Sequence, residues 1–326
     1  MILSIIVPVY NVEQYLERCV DSLIAQDLDA ADYEIIVVND GSTDNSQTVA
    51  EGLVQKYPNV SLYNQTNLGL SGARNTGMLH AQGKYMMFVD SDDYLERNCL
   101  KRLIDTCEKN ELDVCHFRLK WLPGNHIGSI GDLQFDKIYS GKEILKDGCL
   151  IGSACSNVYK SGLLHSRHLS FYQGITHEDV EFTTRLFCCA TRVMIIEDVI
   201  YYYVNNPVSL SKDKSFEKEN KYVCDSAVIA RLTKDYALQH VDDAEIKDLV
   251  ERRVNSSIVG NFVSLLRKPT RPTSIVRNLI QAYRDNGLYP VTGKCLNWKA
   301  RLMGLVLSNE KLFMNLYARK RRKYEA

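Results

Sequence analysis

An alternation of strand-like and helix-like segments over roughly the first 115 residues constrains the fold of this chain more than any other feature. Each strand-like segment is a short, mainly apolar run that stops at a polar cluster and is followed by an amphipathic helical segment. Leu3–Val9, Tyr33–Asn39, Val60–Asn64 and Lys84–Val89 read as strands, and Val114–Leu119 as another. Runs of this kind suit parallel strands covered on both faces. Between them, Glu13–Ala25 places Tyr15, Leu16, Cys19, Val20 and Leu23 on one side of a helix. Helices are also expected over Ser46–Lys56, Ser71–Ala81 and Leu95–Lys109. The alternation predicts an α/β fold with a mostly parallel sheet flanked by helices.

In such a sheet the polar clusters converge beyond the carboxyl ends of the strands, where ligands bind. The fourth cluster, Asp90-Ser91-Asp92-Asp93, packs three carboxylates together. Their mutual repulsion asks for a cation, and a hard divalent metal is the natural partner; the alternative is a cap for a helix starting near Tyr94. The earlier clusters supply Tyr10 to stack, Asp40 to accept from a ring N–H, and Asn67 and Arg74 to bond ring carbonyls. Together these groups suit a flat nucleobase. Each also has a structural alternative. Asp40-Gly41 makes a good turn and helix cap, Arg74 a solvated helix residue, and Tyr10 a core residue. Neither a lysine-tipped phosphate loop nor Gly-x-Gly-x-x-Gly occurs, which argues against an ATPase or a dinucleotide enzyme.

Taken in order, Val7-Pro8-Val9-Tyr10-Asn11, Asn39 to Asp44, Asn67-x-Gly69-x-x-x-Ala73-Arg74-Asn75-x-Gly77 and Asp90 to Asp93 resemble family 2 glycosyltransferases of the GT-A fold, over about residues 2–210. The resemblance implies a GT-A nucleotide-sugar-binding domain and a donor that is most often a UDP-sugar. Pro8, Tyr10, Asp40, Asn67 and Arg74 would hold the base, Asp90 and Ser91 would touch ribose and phosphate, and Asp92 would ligate Mn²⁺ or Mg²⁺. Inverting transfer also needs a carboxylate to accept the proton of the attacking hydroxyl, while metal stabilises the departing diphosphate. The stretch Thr176 to Phe182 resembles the family's Glu-Asp motif. On that basis Asp179 is the expected base and Glu178 its orienting neighbour or substitute. A helix N-terminus is expected to keep Asp179 ionised. Glu181 is read as a partner of Arg185 at i+4, and His177 as structural. The family often carries an Arg and then a Ser after the strand Ile200–Val204. Here Ser209 or Ser211 would supply the phosphate contact. Because the Gln-x-x-Arg-Trp motif of processive synthases is absent, the expectation is transfer of a single sugar.

Forty basic and forty acidic residues cancel, so nothing global points to nucleic acid. Ten dispersed cysteines suggest reduced, mostly buried thiols and a cytoplasmic setting, without signal peptide or membrane span. Helical signals resume at Gly141–Leu150, Lys160–His168 and Glu178–Ala190, followed by strands Val193–Glu197 and Ile200–Val204; the segment 120–140 reads as a loop. Two domains are expected, a catalytic one over 1–214 and a helical one over 215–326 broken at Pro269, Pro272 and Pro290. An apolar stripe from Leu302 to Tyr317 precedes Arg319-Lys320-Arg321-Arg322-Lys323. That pattern fits peripheral contact of residues 300–326 with anionic membrane, or a packed helix with a solvated tail; self-association is also open. The expected acceptor is a glycan or a lipid-linked acceptor in cell-surface polysaccharide synthesis. A catalytically silent GT-A module that binds nucleotide-sugar or a partner enzyme is the alternative. A nucleotidyltransferase ranks below both, since Pro8–Gln14 carries no Lys or Arg.

Overall fold

The structure, a computed structural model, describes residues 1–149, 152–206 and 215–325. It divides into two compact units, Met1–Gly174 with Glu178–Ser209, and Ile175–His177 with Leu210–Ala326. The boundary expected near residue 214 lies outside the described residues.

The first unit is built on one sheet of β1 (Leu3–Val9), β2 (Tyr33–Asn39), β3 (Val60–Asn64), β4 (Tyr85–Phe88), β5 (Tyr94–Leu95), β6 (Val114–Leu122), β7 (His126–Ile127), β8 (Ile138–Tyr139), β9 (Asn157–Lys160) and β10 (Val193–Val204). The strand order is β3-β2-β1-β4-β9-β6-β10-β5, with β7 on β6 and β8 on β10. From β3 to β4 every pairing is parallel. The inserted β9 is antiparallel to both β4 and β6, and β6 and β10 run parallel. Its helices are α1 (Leu16–Ile24), α2 (Ser46–Lys56), α3 (Gly69–His80), α4 (Leu100–Lys109), α5 (Gly141–Asp147), α6 (Ser161–Ser166) and α7 (Glu178–Cys189). Every residue of β1 is buried, as two-sided cover requires. Where α3 crosses β1, a Cβ on Gly77 would sit 2.3 Å from Ile6 Cγ2, so only glycine permits that approach.

Several elements differ from expectation. The helix expected from Leu95 begins at Leu100, because Tyr94 and Leu95 instead pair with Tyr202 and Tyr201 of β10. Tyr94 and Tyr202 stack at 4.9 Å, which favours the extended backbone there. The two strands expected at 193–204 are one long strand whose register against β6 shifts around Val199. The loop expected at 120–140 contains the end of β6 and the short strands β7 and β8. The helix expected from Lys160 is preceded by β9, hidden in sequence by its four-residue length. The helix from Gly141 ends at Asp147, with Gly148 in the left-handed conformation at its C-cap; Leu150 lies outside the described residues.

Aromatic packing supports the strand ends. Phe88 of β4 meets Phe171 edge-on at 5.0 Å, and Phe171 stacks on Phe182 of α7 at 4.2 Å. Asn75 clamps the same segment, donating to Phe171 O and accepting from Phe171 N, each at 2.8 Å.

The second unit contains α8 (Phe216–His240), α9 (Ala244–Arg267), α10 (Thr273–Asp285), α11 (Trp298–Leu307) and α12 (Glu310–Glu325). Phe262 lies at its core, 4.9 Å from Phe313 and 5.8 Å from Tyr283. Residues 175–177 join this unit through Asp225, which accepts from Thr176 N at 2.7 Å and Thr176 Oγ1 at 3.0 Å. The C-terminal apolar stripe separates into two sets. Leu307, Phe313 and Tyr317 are buried, whereas Leu302, Leu305, Val306, Leu312 and Leu316 are exposed. No helix among the described residues is long and apolar enough to cross a membrane.

Candidate active site

The clusters at the ends of β1, β2 and β3 knit into one surface. Asn11 has a positive φ of 53°. Its N–H donates to Ser42 Oγ, and its Oδ1 accepts from Thr43 N at 2.8 Å. Asp40, only 3% exposed, accepts through Oδ1 from Gln65 Nε2 at 2.6 Å and Leu68 N at 2.8 Å. Gly41, with φ +71°, lets this turn approach the loop after β3; a Cβ there would lie 3.0 Å from Asn67 N. Asn67 is exposed, and its Oδ1 accepts from Gly69 N at the start of α3. Tyr10, 38% exposed, presents its ring outside the core. Pro8 is buried within β1 opposite Val38. Gln65, which the sequence did not single out, has a buried Oε1 with no partner among the described residues. That is an open acceptor beside Asp40.

Arg74 corrects one sequence reading. It is not a solvated helix residue but 3% exposed. Its Nη2 donates to Asp90 Oδ1 at 2.8 Å and its Nη1 to Glu178 Oε1 at 2.7 Å. The guanidinium lies 5.1 Å from the centre of the Phe171 ring. A planar fork is suited to bridging two carboxylates, and here it links the acidic run to the start of α7.

The three aspartates of the run separate by role. Asp93 is fully buried and caps no helix. It accepts from Tyr201 OH at 2.6 Å and Val204 N at 2.7 Å, fastening β10. Burial, and then Asp90, push its carboxyl up to about 8. Asp90 donates its N–H to Tyr201 OH at 3.1 Å, and Ser91 is buried. Asp92 accepts through Oδ2 from Asn206 at 3.1 Å, while its backbone oxygen accepts from Arg18 at 2.6 Å. Burial and Asp90 raise its carboxyl too. Arg18, Tyr201 and Asn206 come from distant segments and carry no motif, so sequence spacing could not find them.

Asp179 stands at the first turn of α7, where Val180 N donates to its Oδ1 at 2.8 Å. The expectation that the helix terminus keeps it ionised is corrected: burial, followed by the Glu178 charge, pushes its carboxyl up to about 7. Glu181 does pair with Arg185, at 2.6 Å, but the pair is buried rather than a surface decoration. His177 packs edge-on against Tyr222 at 4.2 Å within the second unit. Ser209 and Ser211 lie outside the described residues. Within the first unit a cavity of about 380 Å³ is lined by Arg74, Asp90, Asp179, His116, Arg118 and Trp121 among others. Its size suits a small ligand.

Residues 4–165 match the family profile described as glycosyl transferase family 2. The chain is 34% identical over 226 residues to the uncharacterized glycosyltransferase EpsJ of Bacillus subtilis, an alignment covering 65% of this chain and 63% of that protein. To the uncharacterized glycosyltransferase YibD of Escherichia coli it is 30% identical over 255 residues, covering 72% of each. The chain belongs to glycosyl transferase family 2. Its enzyme class, glycosyltransferase, is the one expected from the motifs. This family 2 chain also resembles Staphylococcus aureus TarS, a poly(ribitol-phosphate) β-N-acetylglucosaminyltransferase, at 29% identity over 202 residues, 61% of this chain and 35% of that one. The crystal structure of TarS 1-349 in complex with UDP-GlcNAc superposes with a TM-score of 0.74 at 22% identity, covering 100% of this chain and 92% of that chain. That likeness establishes the fold as the expected GT-A architecture followed by a helical region.

The acidic run also bears on a metal. Among the described residues no three His, Cys, Asp or Glu side chains gather as a metal cage. A divalent cation shared with nucleotide phosphates needs only one or two carboxylates, so the donor set fits. Asp92 is suited to hold it, because burial and the neighbouring Asp90 charge raise its carboxyl and a cation would offset both. Asp93 is not, since both its oxygens are engaged.

Proposed function

We propose that this protein is an inverting, metal-dependent glycosyltransferase that moves one hexose or N-acetylhexosamine from a UDP-sugar to a hydroxyl of a glycan or lipid-linked acceptor. The observation that carries this reading is the Arg74 bridge. It joins Asp90, at the corner suited to ribose and phosphate, to Glu178, the neighbour of Asp179, beside a single cavity. Tyr10, Asp40, Gln65 and Asn67 form the surface for the base. Asp90 and Ser91 face ribose and phosphate, and Asp92 would hold Mn²⁺ or Mg²⁺, which supplies charge stabilisation for the leaving diphosphate. In the reaction the acceptor oxygen bonds to the anomeric carbon as the bond to the diphosphate oxygen breaks. Asp179 takes the acceptor proton and UDP leaves with the electron pair. The names of the relatives support polymer glycosylation, TarS acting on a poly(ribitol-phosphate). Both carboxylates that chemistry needs, Asp92 and Asp179, are present, which disfavours a silent module.

The test is a screen of UDP-, GDP- and dTDP-sugars for hydrolysis and transfer with Mn²⁺. UDP-sugars should be turned over; a folded sample that turns over none overturns the reading. The exposed Trp298, Leu302, Leu305, Leu312 and Leu316 beside Arg319–Lys323 support peripheral contact with an anionic bilayer. Flotation with anionic liposomes should fall when Leu302, Leu305 and Leu312 are changed to Gln. Equal flotation removes the membrane from the reading and leaves self-association to be tested by sedimentation.

A further inference from the structure

The cavity beside Asp179 carries on one wall a guanidinium, that of Arg118, that pairs with none of the carboxylates among the described residues lining it. Arg74 is neutralised by Asp90 and Glu178, and Asp93 is held by Tyr201 and Val204. Arg118, on β6, has no carboxylate partner among the described residues. Its guanidinium faces only the Phe135 ring, at 5.5 Å, and its buried Nε has no hydrogen-bond partner. A guanidinium partly withdrawn from water in this way is costly unless an anion completes it.

His116 is two residues away on the same strand and therefore on the same face. Asn157 Nδ2 donates to Ser153 O at 2.8 Å and to Tyr159 OH at 3.2 Å, so its Oδ1 is the atom 3.0 Å from His116 Nδ1. An acceptor there places the imidazole proton on Nδ1 and leaves Nε2 as an acceptor. Burial holds the ring down at about 4, so it stays neutral at neutral pH. The strand carrying both residues lies between β9 and β10, a rigid position for a binding group.

We propose that this cavity is the acceptor site and that Arg118 selects an acceptor bearing a negative charge, a phosphate ester or carboxylate close to its hydroxyls, with His116 accepting from one of those hydroxyls. The proposal rests on the sugar-transfer reading of Asp179. Charge-assisted bonds from a guanidinium would anchor the anion while a hydroxyl reaches Asp179.

The test fills the nucleotide site of the whole chain with UDP and Mn²⁺, then titrates glycerol 3-phosphate, D-glycerate and glycerol by ligand-detected NMR. The expected result is at least about tenfold tighter binding of an anionic probe than of glycerol. The phosphate and glycerate arms separate the two anion chemistries. Arg118→Gln should erase the preference and Arg118→Lys should keep part of it, both with UDP affinity unchanged. Equal binding of charged and neutral probes, binding of none, or a preference surviving Arg118→Gln overturns the proposal. So does a parallel loss of UDP affinity, which would assign Arg118 to the nucleotide. Failure of the sugar-transfer reading is distinguishable, because the wild-type protein would then turn over no UDP-sugar in the donor screen, whatever its preference among the acceptor probes.

Discussion

Arg74 and Glu178, 104 positions apart in the chain, meet at 2.7 Å, and the same guanidinium holds Asp90 at 2.8 Å. This contact joins the end of β4 to the start of α7, so the acidic run and the candidate base share one support.

Replacing Arg74 should therefore damage both stability and activity. Arg74→Met leaves the poorly exposed Glu178 and Asp90 carboxylates without their cation, at a cost of about 3–5 kcal/mol. Arg74→Lys should recover only part, because a single ammonium does not reproduce the fork. Urea denaturation checks this, and an unchanged midpoint for Arg74→Met would show that the bridge contributes nothing.

Asp179→Asn keeps the shape of the site and removes the proton acceptor. UDP-sugar affinity should stay within about twofold, while kcat falls by about 10²–10⁴. Calorimetry and a transfer assay measure the two quantities separately, and undiminished transfer would remove Asp179 from the mechanism.

The raised Asp179 carboxyl sets the pH dependence. The base works only when ionised, so kcat/KM should climb with pH, level off above about 7, and fall about tenfold per unit below it. Stability moves the opposite way. Relative to a carboxyl of 3.8, the neutral folded form gives a contribution fully present below 3.8 and lost as pH rises to about 7. Asp179→Asn should flatten that part of the stability profile.

Asp92→Ala should weaken Mn²⁺-dependent donor binding by at least about 10–100-fold, since it removes the proposed ligand itself. Titration of UDP with and without Mn²⁺ distinguishes loss of the cation from loss of the nucleotide. Unchanged donor affinity in Mn²⁺ would remove Asp92 from the metal site.

Gly41→Ala should cost about 1–2 kcal/mol, because its φ of +71° is disfavoured with a Cβ and the added atom meets Asn67 N at 3.0 Å. Thermal unfolding measures the loss, and UDP affinity should drop with it as the loop after β3 is pushed outward.

The early α/β pattern, the four polar clusters and the Glu178-Asp179 pair were legible in the sequence because each is local. Apolar runs set the strands, and motif spacing placed the clusters at their ends. Asp92 and Asp93 look alike in sequence, yet Tyr201 and Val204 of a strand more than a hundred residues away engage both oxygens of Asp93, while Asp92 meets Asn206 through one oxygen. In the same way Arg74 could be read as facing solvent until Glu178 and Asp90 were seen to enclose it. The three carboxyl residues of the acidic run and the pair Glu178-Asp179 were thus determined by the chain alone as chemical groups. Which of them are charged, bridged or spent on holding strands was decided only by tertiary structure, because burial and long-range partners set the cost of each charge.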